Sequence, residues 1–173
     1  MGTSREKLDF SLSRTHINMN FSIRQATPND AAIIARFNAL MAVETESKTL
    51  DAELLQKGVE ALLADPSKGF YFLAESEGRV VGQTMITYEW SDWRCGDFWW
   101  IQSVYVAPAA RRQGVFRALY RHLHDLARND GQVCGFRLYV EQENRSAQQT
   151  YERLGMAPSH YRCFEVDFVF GPG

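Results

Sequence analysis

The middle of the chain is the segment that most restricts the fold. It contains three runs rich in β-branched and aromatic residues, Phe70 to Ala74, Arg79 to Tyr88 and Phe98 to Ala107. The first two are joined by Glu75-Ser76-Glu77-Gly78, a glycine-containing loop that is typical of a β-hairpin. Three strands in close succession predict an antiparallel meander, so the chain must fold around a sheet.

Helical periodicity precedes this meander. The alternating run FSIRQA, which begins at Phe21, predicts a short strand, and Thr27-Pro28-Asn29-Asp30 has the composition of a helix start. Asp51 is positioned to cap a second helix that extends to about Asp65. Apolar residues of the first helix recur at three- and four-residue steps, which gives it one apolar stripe: Ile33, Ile34, Phe37, Leu40 and Met41.

A strand-helix-strand unit follows the meander. The pattern predicts a helix from about Arg112 to Arg128, a strand over Val133 to Val140 and a short helix between Asn144 and Gly155. The tail from His160 to Phe170 alternates again and predicts a last strand. The strand-helix-strand connection must be right-handed and join parallel strands. The expected order is therefore β-α-α-β-β-β-α-β-α-β, an α/β fold with a mixed, mostly antiparallel central sheet flanked by helices.

Composition excludes several classes of protein. The 173 residues fit one domain, expected over residues 21–173, after a polar leader at 1–20 that we expect to be flexible. A formal charge of −2 argues against nucleic-acid binding, and no apolar run approaches the ~20 residues of a membrane span or forms a secretion signal. The 3 cysteines form no CxxC pair, which argues against a disulfide framework or a metal site and favours a reducing, cytoplasmic setting.

The segment from Val104 to Arg117 carries the chemical signal. A strand ends there, and the pattern predicts a helix that opens at Arg112 or Gln113. Arginines in a first helical turn are unfavourable by about 0.3–1 kcal/mol each unless an anion docks on the exposed N–H groups, which Gly114 would let it approach closely. A solvated arginine pair before an ordinary helix is the alternative. GxxxxGK[ST] and GxGxxG are both absent, so a nucleoside-triphosphate loop and a dinucleotide fold are disfavoured.

The same segment resembles a known motif. Arg111-Arg112-Gln113-Gly114-Val115-Phe116 resembles the (Arg/Gln)-x-x-Gly-x-(Gly/Ala) pyrophosphate loop of the GNAT acetyltransferase superfamily. The preceding run Ile101 to Val106 is similar to the central splayed strand of that family, and Glu143 to Met156 is similar to its Asn…Ala…Tyr…Gly helix motif. The resemblance covers about residues 21–165. Phe116 departs from the motif, so its side chain must point inward or restrict the pocket.

The resemblance implies acetyl-CoA as co-substrate, with no metal. Backbone N–H groups of residues 112–116 would hold the pyrophosphate, arginine side chains would supply charge, and the central strand and a helix cap would contact the pantetheine arm. The implied contacts are Val104, Tyr105, Val106, Arg111, Arg112, Gln113, Gly114, Val115, Phe116, Arg117 and Asn144.

The resemblance also implies that Tyr151 protonates the departing thiolate; on the residues alone it would be a core tyrosine. An alkyl amine has a pKa of about 10.4, so a base must remove a proton before or during attack. Gln102 stands on the central strand where many relatives have Glu, and it cannot serve. We predict Glu89 as the base, with other carboxylates as alternatives: Asp92, Glu141, Glu44 and Glu46.

The expected acceptor is a small cationic molecule with a primary amine, because acidic side chains are predicted around the acceptor groove. We place Glu44, Glu46, Trp90 and Trp100 in that groove. The aromatic cluster around Trp90 and Trp100 is alternatively a contact between subunits of a homodimer. The predicted function is thus an N-acetyltransferase. A non-catalytic acyl-CoA-binding module and a protein or peptide N-acetyltransferase are the alternatives.

Overall fold

A single five-stranded sheet organises the molecule. The computed structural model describes residues 21–169, so the leader expected at 1–20 lies outside the described residues. The sheet has the order β1-β2-β3-β4-β5, with every neighbouring pair antiparallel except β4 and β5, which are parallel. Its strands are β1 Ser22–Gln25, β2 Phe70–Ser76, β3 Arg79–Ser91, β4 Gly96–Val106 and β5 Val133–Arg137. The mixed, mostly antiparallel sheet predicted from the sequence is confirmed.

Within residues 21–169, four α-helices pack around the sheet or connect its strands. They are α1 Ala31–Glu46, α2 Ala52–Ala64, α3 Val115–Asp130 and α4 Arg145–Arg153. Short 3₁₀ turns at Pro28–Asp30 and Pro108–Ala110 precede α1 and the loop before α3. Between residues 21 and 169, no helix combines the length and the apolar character that crossing a membrane requires.

The two faces of the sheet carry separate cores, because successive strand side chains point to opposite faces. On one face, α3 packs Leu119 and Leu123 against Phe72, Ile86 and Ile101. On the other face, α1 and α2 cover a second cluster: Ile34, Val59, Tyr71 and Leu73. This division places the start of α3 on one side of β4 and the helices α1 and α2 on the other.

The predicted helix caps are formed. The Asp51 carboxylate accepts a hydrogen bond from the Leu54 N–H at 2.8 Å, and Asn144 Oδ1 accepts one from the Ala147 N–H at 3.1 Å. Side-chain oxygens at these positions satisfy N–H groups that have no partner within the helix. Both helices therefore begin where their sequences predict.

Three predictions of secondary structure are wrong. The strand expected to extend to Val140 ends at Arg137. The helix expected to open at Arg112 or Gln113 begins at Val115, because Arg112 (φ 63°) and Gly114 (φ 89°) adopt left-handed backbone that an α-helix cannot include. The strand expected over 160–170 is not formed in its described residues 160–169. Apolar side chains of this tail, such as Phe164 and Phe168, are exposed, since alternation alone makes no strand without a partner.

Candidate active site

Strands β4 and β5 separate along their length. Their pairing runs only from Asp97 and Val133 to Trp100 and Arg137, where β5 ends. Strand β4 continues to Val106, so residues 101–106 have no strand neighbour on that side within the described chain. The backbone of this free edge is available to a peptide-like arm that adds to the sheet as a strand would.

A bulge changes the direction of β4 within this free edge. Met85 pairs with Gln102 and Gln83 pairs with Tyr105, so Ser103 and Val104 both lie opposite one residue of β3. Ser103 has a φ of 48°, which marks the irregular position. After the bulge, Val104 and Val106 pack on the α3 side, whereas Tyr105 contacts Phe37 of α1. Neither glycine nor proline signals this bulge in the sequence.

The loop before α3 presents a row of backbone donors. Within the described chain, the N–H groups from Arg112 to Arg117 donate no hydrogen bond, and no side chain caps α3. The Arg117 guanidinium folds back over the loop: a Cβ at Gly114 would lie 3.3 Å from Arg117 Nη2. Neither Arg112 nor Arg117 forms an ion pair among residues 21–169. Free donors, a helix N-terminus and two unpaired cations together are features that could hold an anion.

Arg111 is held differently from the other two arginines. Its Nε donates to the Val106 carbonyl oxygen at 2.9 Å, and its Nη2 donates to Glu44 Oε2 at 2.5 Å. The second oxygen of Glu44 accepts from the Tyr105 hydroxyl at 3.1 Å. Arg111 thus ties the loop to α1, and Glu44 offsets its charge. Glu44, predicted as a groove carboxylate, is likewise paired rather than free.

Phe116 and Tyr151 bring α3 and α4 together. Phe116 packs against the core on the α3 side, and its ring lies 5.6 Å from that of Tyr151, edge to face. The bulky residue therefore points inward. Burial raises the pKa of Tyr151 above its ordinary value. The Tyr151 hydroxyl has no hydrogen-bond partner in the described part of the chain, so its proton is available to a bound group.

Glu89 belongs to a small cluster on the α1–α2 face. It accepts a hydrogen bond from Trp100 Nε1 at 2.5 Å and forms an ion pair with Arg137 of β5. Burial acts to raise the pKa of Glu89, but the hydrogen bonds from Arg137 and Trp100 and the guanidinium charge outweigh it, so the pKa falls below its ordinary value. The ring of Tyr139 lies 4.4 Å from that of Trp100. Glu89 is therefore ionised at neutral pH.

The remaining predicted groove residues are not brought together. Alternation along β3 places Trp90 on the face opposite Glu89, and its side chain is exposed. Glu46 pairs with Lys48 at 3.1 Å near the end of α1. Of the predicted groove residues, only Trp100 joins the Glu89 cluster.

Two neighbours of this site were not among the residues predicted from the sequence. Thr87 Oγ1 accepts a hydrogen bond from Gln102 Nε2 at 2.5 Å, and Arg137 reaches Glu89 from β5. The two-residue spacing of Thr87 and Glu89 on one strand was a usable signal for Thr87. No signal in a single sequence gives the β4–β5 register that brings Arg137 to Glu89. Among residues 21–169, no group of three His, Cys, Asp or Glu side chains is placed to hold a metal ion.

Comparison with known proteins agrees with this geometry. The model of the acetyltransferase (GNAT) family matches residues 36–156. The chain is similar to a crystal structure described as a possible acetyltransferase from Clostridium difficile 630, with 46% sequence identity and a TM-score of 0.81 over 86% of this chain and 98% of that chain.

Two curated proteins are also similar. Mycothiol acetyltransferase of Mycolicibacterium gilvum is 28% identical over 156 residues, which are 87% of this chain and 50% of that protein, so the chain spans about half the length of that relative. Thialysine N-ε-acetyltransferase of Caenorhabditis elegans is 30% identical over 118 residues, 66% of this chain and 69% of that protein. Since the family model covers well over half of the chain, the protein belongs to the GNAT family of acetyl-CoA-dependent N-acetyltransferases.

Proposed function

We propose that this protein transfers the acetyl group of acetyl-CoA to the primary amine of a small cationic molecule, by direct attack, with Tyr151 as general acid. The observation that carries the proposal is the row of free N–H groups from Arg112 to Arg117, which lies where the free edge of β4 ends. A diphosphate bound by the loop would direct an attached arm along that edge.

The donor half of the site is assigned on this basis. Arg112 and Arg117 supply the charge for the pyrophosphate, because Arg111 is engaged by Glu44. The Val106 carbonyl already accepts from Arg111, so the pantetheine arm pairs with the backbone around Val104. Asn144 uses Oδ1 to cap α4, which leaves its amide nitrogen to donate to the arm.

Tyr151 has the properties of the acid. The amine nitrogen attacks the thioester carbonyl, the C–S bond breaks and the thiolate takes the tyrosine proton. In water this transfer is uphill by about 2 kcal/mol, since the tyrosine pKa is near 10 and the thiol pKa near 8.5. The apolar surroundings of Tyr151 keep it protonated, and the same surroundings raise the proton affinity of a thiolate beside it.

Glu89 is the proposed base, acting on the amine through water, because it pairs across the sheet with Phe98, several residues along β4 from the Ser103 bulge. It is ionised at neutral pH because its pKa is lowered, and Arg137 and Trp100 fix its orientation. The names of two relatives, a mycothiol acetyltransferase and a thialysine N-ε-acetyltransferase, support a small-molecule acceptor. The cysteines at 95, 134 and 163 are free, which supports a reducing, cytoplasmic setting. A homodimer stays a prediction.

One observation favours a second candidate, a non-catalytic acyl-CoA-binding module. Gln102 occupies the position on β4 where many relatives have Glu, and it is hydrogen-bonded to Thr87. A module of this kind would bind acetyl-CoA and release no thiol with any amine.

The test is release of CoA thiol from acetyl-CoA with a panel of amines, comparing the intact protein with Tyr151→Phe. We expect turnover with at least one small amine. In the variant we expect kcat to fall by about 10²-fold, the lower range for loss of a general acid, with the Kd for CoA within twofold. Tight binding of CoA without turnover on any amine or peptide would establish the module instead.

A further inference from the structure

A cavity of about 360 Å³ lies between α2 and the sheet, on the face opposite α3. The residues that α2 contributes include Leu54, Gly58 and Leu62, and Met85 closes it from β3. At the sheet it reaches Ser103, the bulge residue of β4. The lining of the cavity is therefore mostly apolar, and one end of it lies at the β4 bulge.

Gly58 keeps this space open. It lies in the interior of α2, where glycine destabilises a helix relative to alanine. A Cβ at Gly58 would meet no atom within 4 Å, whereas one at Gly82 would lie 2.7 Å from Val115 Cγ1. Within the described chain, packing therefore leaves no room for a side chain at Gly82, whereas a side chain would fit at Gly58.

A buried hydrogen-bond acceptor adjoins two residues of the cavity lining, Asn38 and Ser103. Gln83 is fully buried; its Nε2 donates to Asn38 Oδ1 at 2.7 Å and, more weakly, to the Ser103 carbonyl at 3.4 Å. Its Oε1 has no partner. Asn38 in turn donates to the Tyr71 hydroxyl at 3.0 Å, and Asn38, Tyr71 and Ser103 all line the cavity. The polar groups of the lining are thus gathered at this end, which suits the amine, whereas the α2 side suits a nonpolar group.

Charge does not select the ligand of this cavity. Asp51 lines it, but its carboxylate is engaged in capping α2. The acids predicted to attract a cation, Glu44 and Glu89, are each paired with an arginine. Recognition beyond the amine itself must therefore come from burial of apolar surface.

From these observations we propose that the cavity under α2 holds the nonpolar body of the acceptor, with the amine at the Ser103 end. The preferred substrates are primary amines with one aliphatic or aromatic group, and diamines of equal length are poorer. This rests on the proposed acetyl transfer and adds the class of acceptor. Each buried methylene raises kcat/KM by about fourfold until the cavity is full.

The test measures thiol release at saturating acetyl-CoA with linear monoamines from ethylamine to octylamine and with matched diamines. In the wild-type protein we expect kcat/KM to rise with the chain length of the monoamine. Gly58→Phe fills the cavity, so it should remove the dependence of kcat/KM on chain length and lower kcat/KM for octylamine at least tenfold. The kcat/KM for ethylamine and the Kd for CoA should stay within about threefold of the wild-type values. Lys57→Phe adds the same ring at the neighbouring, exposed position and should leave the dependence of kcat/KM on chain length as in the wild-type protein. Gly58→Ala favours the helix and adds one methyl group beside the cavity, so the amine with the highest kcat/KM should have a shorter chain.

Calorimetry of octylamine with the protein–CoA complex gives a readout besides turnover. Weaker binding in Gly58→Phe than in Lys57→Phe supports the cavity even if no amine is acetylated, an outcome that would defeat only the proposed function. Kinetics or binding independent of chain length in the wild-type protein would overturn the inference, as would a preference for diamines or an unchanged series in Gly58→Phe.

Discussion

Gly114 shows how one residue shapes the donor site. Its φ of 89° lies in the left-handed region, and the turn it makes separates the loop from α3. An L-residue at such a position is strained by about 1–2 kcal/mol. The free N–H groups on either side of Gly114 depend on this turn for their common direction.

We predict that Gly114→Ala weakens CoA binding at least tenfold. The strain of alanine would rotate the loop N–H groups away from the pyrophosphate, and its Cβ would displace Arg117. The measurement is the Kd for CoA by calorimetry, beside thermal melting. Gly78→Ala is the matched control, because Gly78 also has positive φ (72°) with free space around it, but lies in the β2–β3 turn. Equal losses of CoA affinity in the two variants would contradict the prediction.

Single residues also show the limits of the sequence. The pattern from Arg111 to Arg117 predicts a loop before α3, and Gly114 in that loop has the left-handed backbone that glycine favours. The close approach of an anion at Gly114 stays a prediction. The partner of Arg111 is Glu44, 67 residues away, and no local pattern connects them. Pairings of this kind change which charges are free, and they exist only once the tertiary fold is formed.

At the scale of elements, an ion pair anchors the start of α1. The Asp30 carboxylate accepts two hydrogen bonds from Arg24 of β1, each 2.8 Å, and a third from the Thr27 N–H at 2.7 Å. The hydrogen bonds from Arg24 lower the pKa of Asp30 to about 2; burial opposes this change and the bonds from Thr27 add to it. The group joins β1, the 3₁₀ turn and α1 at one point.

Asp30→Asn should destabilise the protein above pH 4. The folded-state pKa is depressed from 3.8 to about 2, so this stabilisation is present above pH 4 and is lost as the pH falls toward 2. We expect the free energy of unfolding to drop by about 1–2 kcal/mol at pH 7, and the difference to narrow at pH 2–3. Urea titration at both pH values measures this. Asp65→Asn is the control, since the pKa of exposed Asp65 is also about 2 through Lys68 and Ser67, and its effect should be small. A constant difference across pH for Asp30→Asn would refute the assignment.

The elements themselves were largely predictable, but their ends were not. The caps at Asp51 and Asn144 use local side-chain chemistry, so the sequence predicts them well. The start of α3 and the bulge at Ser103 depend on positive φ at Arg112 and Ser103, which neither residue type signals. The tail at 160–170 has the alternation of a strand, yet a strand also needs a partner, which alternation does not supply.

Across the whole molecule, the position of the α3 N-terminus depends on close packing against the sheet. Gly82 of β3 lies under Val115, the first residue of α3, and Tyr105 O is also near. Val115 is itself buried. The anion loop is therefore supported from below by a glycine that lies far from it in sequence.

We predict that Gly82→Ala couples folding stability to CoA binding. Its Cβ would come 2.7 Å from Val115 Cγ1 and 3.2 Å from Tyr105 O, so α3 must move outward and carry the loop with it. The expected result is a loss of about 1–3 kcal/mol in the free energy of unfolding together with weaker CoA binding. Gly135→Ala is the matched control: its Cβ would also lie 2.7 Å from a side-chain atom, Phe98 Cε1, at the paired end of β4 and β5. It should lower stability and leave the Kd for CoA nearly unchanged.

The double variant Gly82→Ala/Val115→Ala tests the cause. Removing Cγ1 relieves the contact, so CoA affinity should be higher than the sum of the two single effects predicts, because residues in contact are not additive. Strict additivity in that cycle would show that α3 does not rest on Gly82. The start of α3 would then be positioned by its own sequence, and substitution under the helix would reach the coenzyme site only through global unfolding.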